Sequence, residues 1–190
     1  MLQNYIVGNE YVSVYFDDQN LIYKDFERCT FKGCDFQQAN FLGVAFTDCI
    51  FIDCNFSEAK INYSGLRDVQ FTGCDFTAVN FTMVDKLLFS FSFTDCILDY
   101  AKFYTLKMRE TVFENCSIIA ADFMNADLTG AKFNNCNLHK SVFTDTIANK
   151  ADFSSAYNFT IDPEKTKLKK AVFNTAGLKG LLAKFDLVIK

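Results

Sequence analysis

Large apolar residues return at every fifth position along most of this chain. Phe16, Leu21, Phe26, Phe31, Phe36, Phe41, Phe46, Phe51, Phe56, Ile61, Leu66, Phe71, Phe76 and Phe81 hold the position in a first block. It resumes two residues out of phase at Phe93, Leu98, Phe103, Met108, Phe113, Ile118, Phe123, Leu128, Phe133, Leu138, Phe143 and, after Ala148, Phe153. Eighteen of the 23 phenylalanines lie on it. Two residues before each comes a mostly small side chain, and all eight cysteines sit there. The remaining three residues of each five are rich in Asp, Asn, Gln, Lys, Thr and Ser.

A helix does not suit this period. Five residues turn an α-helix by about 500°, so the phenylalanines would circle it. In an extended segment, Cys34 and Phe36 share a face, but the next pair, Ala39 and Phe41, would point the other way. Both pairs face inward only if the chain bends between Phe36 and Ala39, once in every five residues. Four bends close a square coil of about 20 residues, and coils stack at the strand spacing of about 4.8 Å. Cys34, Cys54 and Cys74 are spaced by 20, as are Cys29 and Cys49, and Cys96, Cys116 and Cys136. Like residues would therefore stack in internal columns. About seven coils are expected, making a rod on the order of 30–35 Å long.

The triplets Cys34-Asp35-Phe36, Ala39-Asn40-Phe41, Cys74-Asp75-Phe76, Ala121-Asp122-Phe123, Ala126-Asp127-Leu128 and Ala151-Asp152-Phe153 match a motif A-(D/N)-(L/F)-x-x. The chain thereby resembles the pentapeptide-repeat family over roughly residues 11–160. The resemblance implies an all-β solenoid, a right-handed quadrilateral β-helix, with the handedness taken from the family. Residues 1–160 are expected to form the β-helix and residues 161–190 a C-terminal helix and strand. The register break at 82–92 must absorb two extra residues in a bulge or small loop.

Composition narrows the chemistry. Cysteines on facing coils would stand about 4.8 Å apart with parallel Cβ directions, beyond the usual bridging distance, so free core thiols are expected. Zinc ligation needs clustered ligands, and His139 is the one histidine. No phosphate loop, nucleophile elbow or metalloprotease motif occurs, so the reading is a protein that is not an enzyme and needs no cofactor or metal. No membrane-length apolar run or basic-then-apolar leader is found, which suggests a cytoplasmic location.

After Pro163 the pattern ends. Asn174 is a plausible N-cap for a helix through Lys184, with Leu178, Leu181, Leu182 and Phe185 on one face. Asp186 to Ile189 reads as a short strand. Leu187 and Ile189 add a second apolar element, and a symmetric dimer through this tail is the preferred expectation over a cap within one chain. The segment Leu181–Ile189 is similar to the tail of the quinolone-resistance and mycobacterial fluoroquinolone-resistance members. In those relatives the tail pairs two rods into a DNA-like dimer that binds DNA gyrase and topoisomerase IV.

Charge is uneven. Residues 1–160 carry 20 acidic and 12 basic side chains, and residues 161–190 carry 3 and 7. Folding the first block by 20 places Asp17, Asp18, Asp35, Glu58 and Asp75 on one face without Lys or Arg. Their spacing over roughly 15 Å approaches the charge density of one DNA strand, about one per 3.4 Å. The adjoining face shows Ile22, Tyr23, Leu42, Tyr63 and Met83. The sign of the coil disfavours direct nucleic-acid binding. The expectation is a DNA-mimicking, non-enzymatic protein that engages type II topoisomerase and protects it from quinolones or toxins. The alternative is an interaction scaffold with another protein partner, using the apolar face.

Overall fold

In the computed structural model, which describes residues 4–17, 21–86 and 89–188, the bend expected between Phe36 and Ala39 lies at Gln38, whose φ is 58°. The same left-handed turn recurs two residues after nearly every inward apolar residue, at Arg28 (52°), Asp48 (53°), Glu58 (59°) and Tyr63 (57°) among others. Such a φ costs a non-glycine residue roughly 1–2 kcal/mol. The ladder holds most of these bends in place: the amide of the bent residue donates to the coil above, as from Arg28 to Thr47 O at 2.9 Å and from Gln38 to Ser57 O at 3.1 Å. A strained conformation persists where neighbouring bonds over-determine it.

The result is a four-sided parallel β-solenoid. On one side run β1 (Tyr5–Val7), β3 (Asp25–Glu27) and β5 (Ala45–Thr47); on the next run β2 (Glu10–Val12), β4 (Thr30–Lys32) and β6 (Ile50–Ile52). β7 (Gly65–Thr72) spans both sides and pairs with β8 (Phe89–Thr94), followed by β9 (Val112–Glu114) and β10 (Lys132–Asn134). Every pairing is parallel, and Phe26↔Phe46 and Phe31↔Phe51 show the 20-residue register. The other two sides are single-residue bridges such as Asp35↔Asn55 and Lys102↔Asp122. No helix among the described residues is long and apolar enough to cross a membrane.

Inside, the rings form continuous stacks. One column runs Tyr11, Phe31, Phe51, Phe71, Phe93, Phe113, Phe133, Phe153 and Phe173, with centroids 4.6–5.5 Å apart. Offset stacking adds about 0.5–1.5 kcal/mol per pair beyond area burial. The column passes residue 160: the bridges Ile147↔Lys167 and Asp152↔Val172 extend the ladder into the stretch expected to lie beyond the solenoid. The final coil was hidden because Leu168 and Phe173 are its only large inward residues of the motif type.

All eight cysteines are free and buried. Seven of the thiols point back at the coil below, as Cys49 Sγ to Phe26 O and Cys136 Sγ to Phe113 O, each at 3.4 Å, whereas Cys74 Sγ bonds Thr72 O of its own coil. Thr146 and Thr166 occupy equivalent inward positions and donate to Phe123 O and Phe143 O at 2.7 and 2.9 Å. A small side chain with one weak donor suits this site, because a buried carbonyl gains a second partner. Burial pushes the Cys49 thiol up to about 12 and raises Cys34. Cys54 and Cys96 hydrogen-bond Cys74, which together with burial raises it too. These three are protonated, unreactive core thiols at neutral pH.

The register break is a paired gain and loss. Phe89 stacks over Leu66, 23 residues on, whereas Phe93 pairs with Phe71, 22 residues on. The side between Phe81 and Phe89 is therefore three residues longer than usual, and the corner before Phe93 is one shorter. With no residue left to offer the usual carbonyl, Ser90 Oγ accepts from the Asp68 amide at 2.8 Å and donates to Asp68 Oδ1 at 2.6 Å. Beyond the break the thiol column continues, since Ile97 N donates to Cys74 O.

The tail differs from expectation. The Asn174 side chain accepts from Gly177 N, but the helix, α1 (Leu178–Leu182), is five residues long and its N-cap is Gly177. A 3-10 turn over Ala183–Phe185 follows, closed by Asp186 at φ 49°. Residues 186–188 form no strand; Ile189 lies outside the described residues. Two glycines explain the short helix, since each costs about 1 kcal/mol relative to Ala in a helix interior.

Candidate partner-binding surface

The outer faces follow from which side chains each corner consumes. Residues just before an inward ring carry the motif's Asp or Asn, and these turn back to cap their own corner. Asp122 Oδ1 accepts from Met124 N at 2.9 Å, Asp127 Oδ1 from Thr129 N at 3.1 Å and Asp152 Oδ1 from Ser154 N at 2.8 Å. Asn40, Asn55 and Asn80 make the same bond with an uncharged amide oxygen. The repeated carboxylate is thus first a turn-former.

That divides the expected acidic row. Asp35 and Asp75 share one bridge column with Tyr15 and Asn55 and are half-buried. Asp35 Oδ1 accepts from Gln37 N at 3.0 Å and Asn55 Nδ2 at 3.2 Å; Asp75 Oδ1 accepts from Thr77 N at 2.8 Å and Thr77 Oγ1 at 2.6 Å. Asp17 and Glu58 are exposed on the same side, and Glu58 takes a 3.0 Å bond from Gln38 Nε2. Asp18 lies outside the described residues. The row has one further member that folding by 20 missed: Asp99, one residue past Leu98, accepts from Ser117 Oγ at 2.7 Å and Ile119 N at 2.9 Å. Counting by 22 across the break would have found it. Beside Asp99, in the same coil, stand exposed Ile97 and Tyr100, and two coils on the side carries exposed His139 and Lys140.

On the adjoining side, Tyr23 and Tyr63 are 62% and 61% exposed and Met83 is 43% exposed. Ile22 and Leu42 are half-buried. Tyr23 lies flat over Gly43, where a Cβ would come within 2.9 Å of its ring. Of this cluster, Tyr23 is packed against the backbone of the next coil.

At the end of the rod, α1 presses its glycine face on the last ring. A Cβ on Gly177 would sit 2.7 Å from Phe159 Cζ, and one on Gly180 would meet the Phe159 carbonyl. Ile161 N donates to Gly180 O at 3.1 Å. Leu181 packs on the core, whereas Leu178, Leu182, Phe185 and Leu187 remain exposed. Lys184 clamps the turn by pairing with Asp162 at 2.8 Å and Glu164 at 2.6 Å.

Two family profiles match the chain, one described as pentapeptide repeat region over residues 24–87 and one as pentapeptide repeats over residues 121–157. The chain belongs to the pentapeptide-repeat family. Among solved structures, trypsin-treated QnrB1, a plasmid-mediated fluoroquinolone resistance protein, is similar at 18% identity and a TM-score of 0.50, over 97% of this chain and 99% of that one. Full-length QnrB1 is similar at 14% identity and a TM-score of 0.47, over 96% and 100% of the two chains. HetL, a pentapeptide repeat protein involved in heterocyst differentiation regulation from the cyanobacterium Nostoc sp. strain PCC 7120, follows at 15% identity and 0.42, over 90% and 83%. At such identities the likeness speaks for the fold alone. No curated protein matches the sequence. The pentapeptide-repeat solenoid of this chain thus gives a rigid scaffold, and its faces must speak for the function.

Proposed function

We propose that this pentapeptide-repeat protein is a non-enzymatic binding protein whose acidic side substitutes for a DNA strand on a type II topoisomerase such as DNA gyrase or topoisomerase IV. The observation that carries this reading is the side with Asp17, Asp35, Glu58, Asp75 and Asp99, its carboxylates stepped along a rod at the coil spacing. Such a row complements a groove lined by cations, and complementarity of this kind governs encounter and register. QnrB1, described as a fluoroquinolone resistance protein, lends the proposal its choice of drug.

The turn role of Asp35 and Asp75 sets the design of the test. Lysine there would break corners, whereas Asn keeps the Oδ1 acceptor, as Asn55 already does in the same column. A variant carrying Asp17→Asn, Asp35→Asn, Glu58→Gln and Asp75→Asn is expected to fold normally and bind gyrase about 30-fold more weakly, from four charges at roughly 0.5 kcal/mol each. Supercoiling by gyrase, with and without ciprofloxacin, reads the outcome. If the unaltered protein neither binds gyrase, inhibits it nor protects it, the topoisomerase reading is lost.

A second reading rests on the aromatic side. Tyr23 and Tyr63, both exposed, and Leu42 and Met83 on the same side have the composition of a protein-interaction hot spot. An interaction scaffold with another protein partner would use that side, and Tyr23→Ala with Tyr63→Ala would then abolish binding that the charge variant leaves intact.

The tail is the proposed contact between two copies. Leu178, Leu182, Phe185 and Leu187 form an apolar strip at the end of the rod, beyond the ring that α1 already covers. Leu182→Asp is expected to convert a dimer to a monomer in sedimentation equilibrium. A monomeric parent protein, or a dimeric Leu182→Asp variant, assigns the strip to capping alone.

A further inference from the structure

A cleft interrupts the wall of the stack near its C-terminal end. The cleft, of about 470 Å³, opens beside the coil of residues 138–144, with His139, Lys140, Val142 and Thr144 on one side and Thr160 and Lys165 on the other. It exists because the chain after Asn158 leaves the ladder and rejoins it at Lys165, where Asp145 N donates to Lys165 O at 2.7 Å.

Leaving the ladder strands donors. One coil below, Ala120 N donates to His139 O at 2.8 Å and Phe123 N to Val142 O at 2.9 Å. Lys140 and Phe143 stand at the same positions one coil on, and no protein oxygen among the described residues accepts from their amides. A third donor is exposed by a single residue type. Asp122 Oδ1 accepts from Met124 N, but the residue bridged above Asp122 is Val142, so Thr144 N has no such acceptor. Three backbone amides whose counterparts one coil below meet a carbonyl or a carboxylate thus belong to residues that line one cleft. Backbone donors need a partner, and clustered amides form anion-binding concavities.

Lys140 and Lys165 make no ion pair with the described residues. Asp162 also lines the cleft, and its carboxylate is paired with Lys184 at 2.8 Å. Hydroxyls of Thr144 and Thr160 add neutral donors. We propose that this cleft binds a phosphate-type oxyanion, held by the amides of Lys140, Phe143 and Thr144 and by the ammonium groups of Lys140 and Lys165. The volume exceeds that of a bare ion, so the anion is either free phosphate or the phosphate group of a small ester.

Inorganic phosphate, AMP and acetate are titrated into the full chain at constant ionic strength, followed by phosphorus NMR and melting temperature. Saturable binding of phosphate or AMP is expected, with the tighter of the two naming the free ion or the ester. Lys140→Ala with Lys165→Ala is expected to weaken binding by about tenfold or more. Val142→Asp is expected to abolish it while keeping the melting temperature, because the new carboxylate takes the Thr144 amide as Asp122 takes that of Met124. Absence of saturation at millimolar phosphate and AMP overturns the proposal. So does acetate binding as tightly as phosphate, or binding that both variants leave unchanged.

Discussion

Phe113→Ala is expected to destabilise the rod by about 3–5 kcal/mol, as removal of a fully buried ring generally does. Phe113 is fully enclosed, stacks on Phe93 at 5.5 Å and Phe133 at 4.9 Å, and meets Phe103 and Phe123 edge-on at 6.3 Å. Alanine would open a hole that the flanking coils cannot close, because their ladder bonds hold them at the strand spacing. A second consequence follows from the linear architecture. Each coil contacts only its neighbours, so a weak coil in the middle divides one cooperative unit into two. Urea denaturation should therefore show a lower midpoint and also a shallower or two-step transition. Phe173→Ala, at the half-buried end of the same column, should cost less and leave the main transition sharp. Equal losses at the two positions would mean that ring stacking along the axis is not what holds the rod.

Gly180→Ala carries the second large effect, and its sign is informative. In a free helix the change would stabilise by about 1 kcal/mol, through helix propensity. Docked as here, the new methyl would enter the Phe159 carbonyl and approach Phe159 Cδ2 to 2.8 Å. The obstacle is backbone and cannot rotate away. α1 must lift, breaking the bond from Ile161 N to Gly180 O and drawing Leu181 off the core, for a net loss of about 1–3 kcal/mol. Thermal melting reads the sign, and hydrogen exchange at the Ile161 amide locates it. A rise in stability would show that α1 does not rest on the last coil.

Much of the rod was legible because each pentapeptide carries its own instructions. Cys34 and Phe36 face inward, Gln38 bends the chain, and the next pair faces inward again; none of this needs a distant residue. Stacking at 20 residues then follows from four equal sides. The corners were less legible. Asp35 and Asp75 look like free charges in a list of acidic positions, but a carboxylate next to an inward ring lies within reach of an amide two residues on. The motif's tolerance of Asn at that place, in Asn40, Asn55 and Asn80, was the available signal that the acceptor matters more than the charge. Asp99 was missed for arithmetic reasons, since the break adds three residues on one side and removes one at the next corner. The ten-residue helix expected at the tail was overridden by Gly177 and Gly180, which serve close packing on Phe159 at the expense of helix length.

The sequence by itself determined a fivefold inward repeat, its closure into stacked four-sided coils and an apolar tail, because these arise from contacts that recur at fixed short intervals. The tertiary structure alone decided which carboxylates stay outward, that the cysteine column runs unbroken past the break, and that three amides and two lysines meet in a cleft. Those outcomes depend on what lies one coil above, and where the chain departs from its repeat between Asn158 and Lys165 no local rule says what that will be.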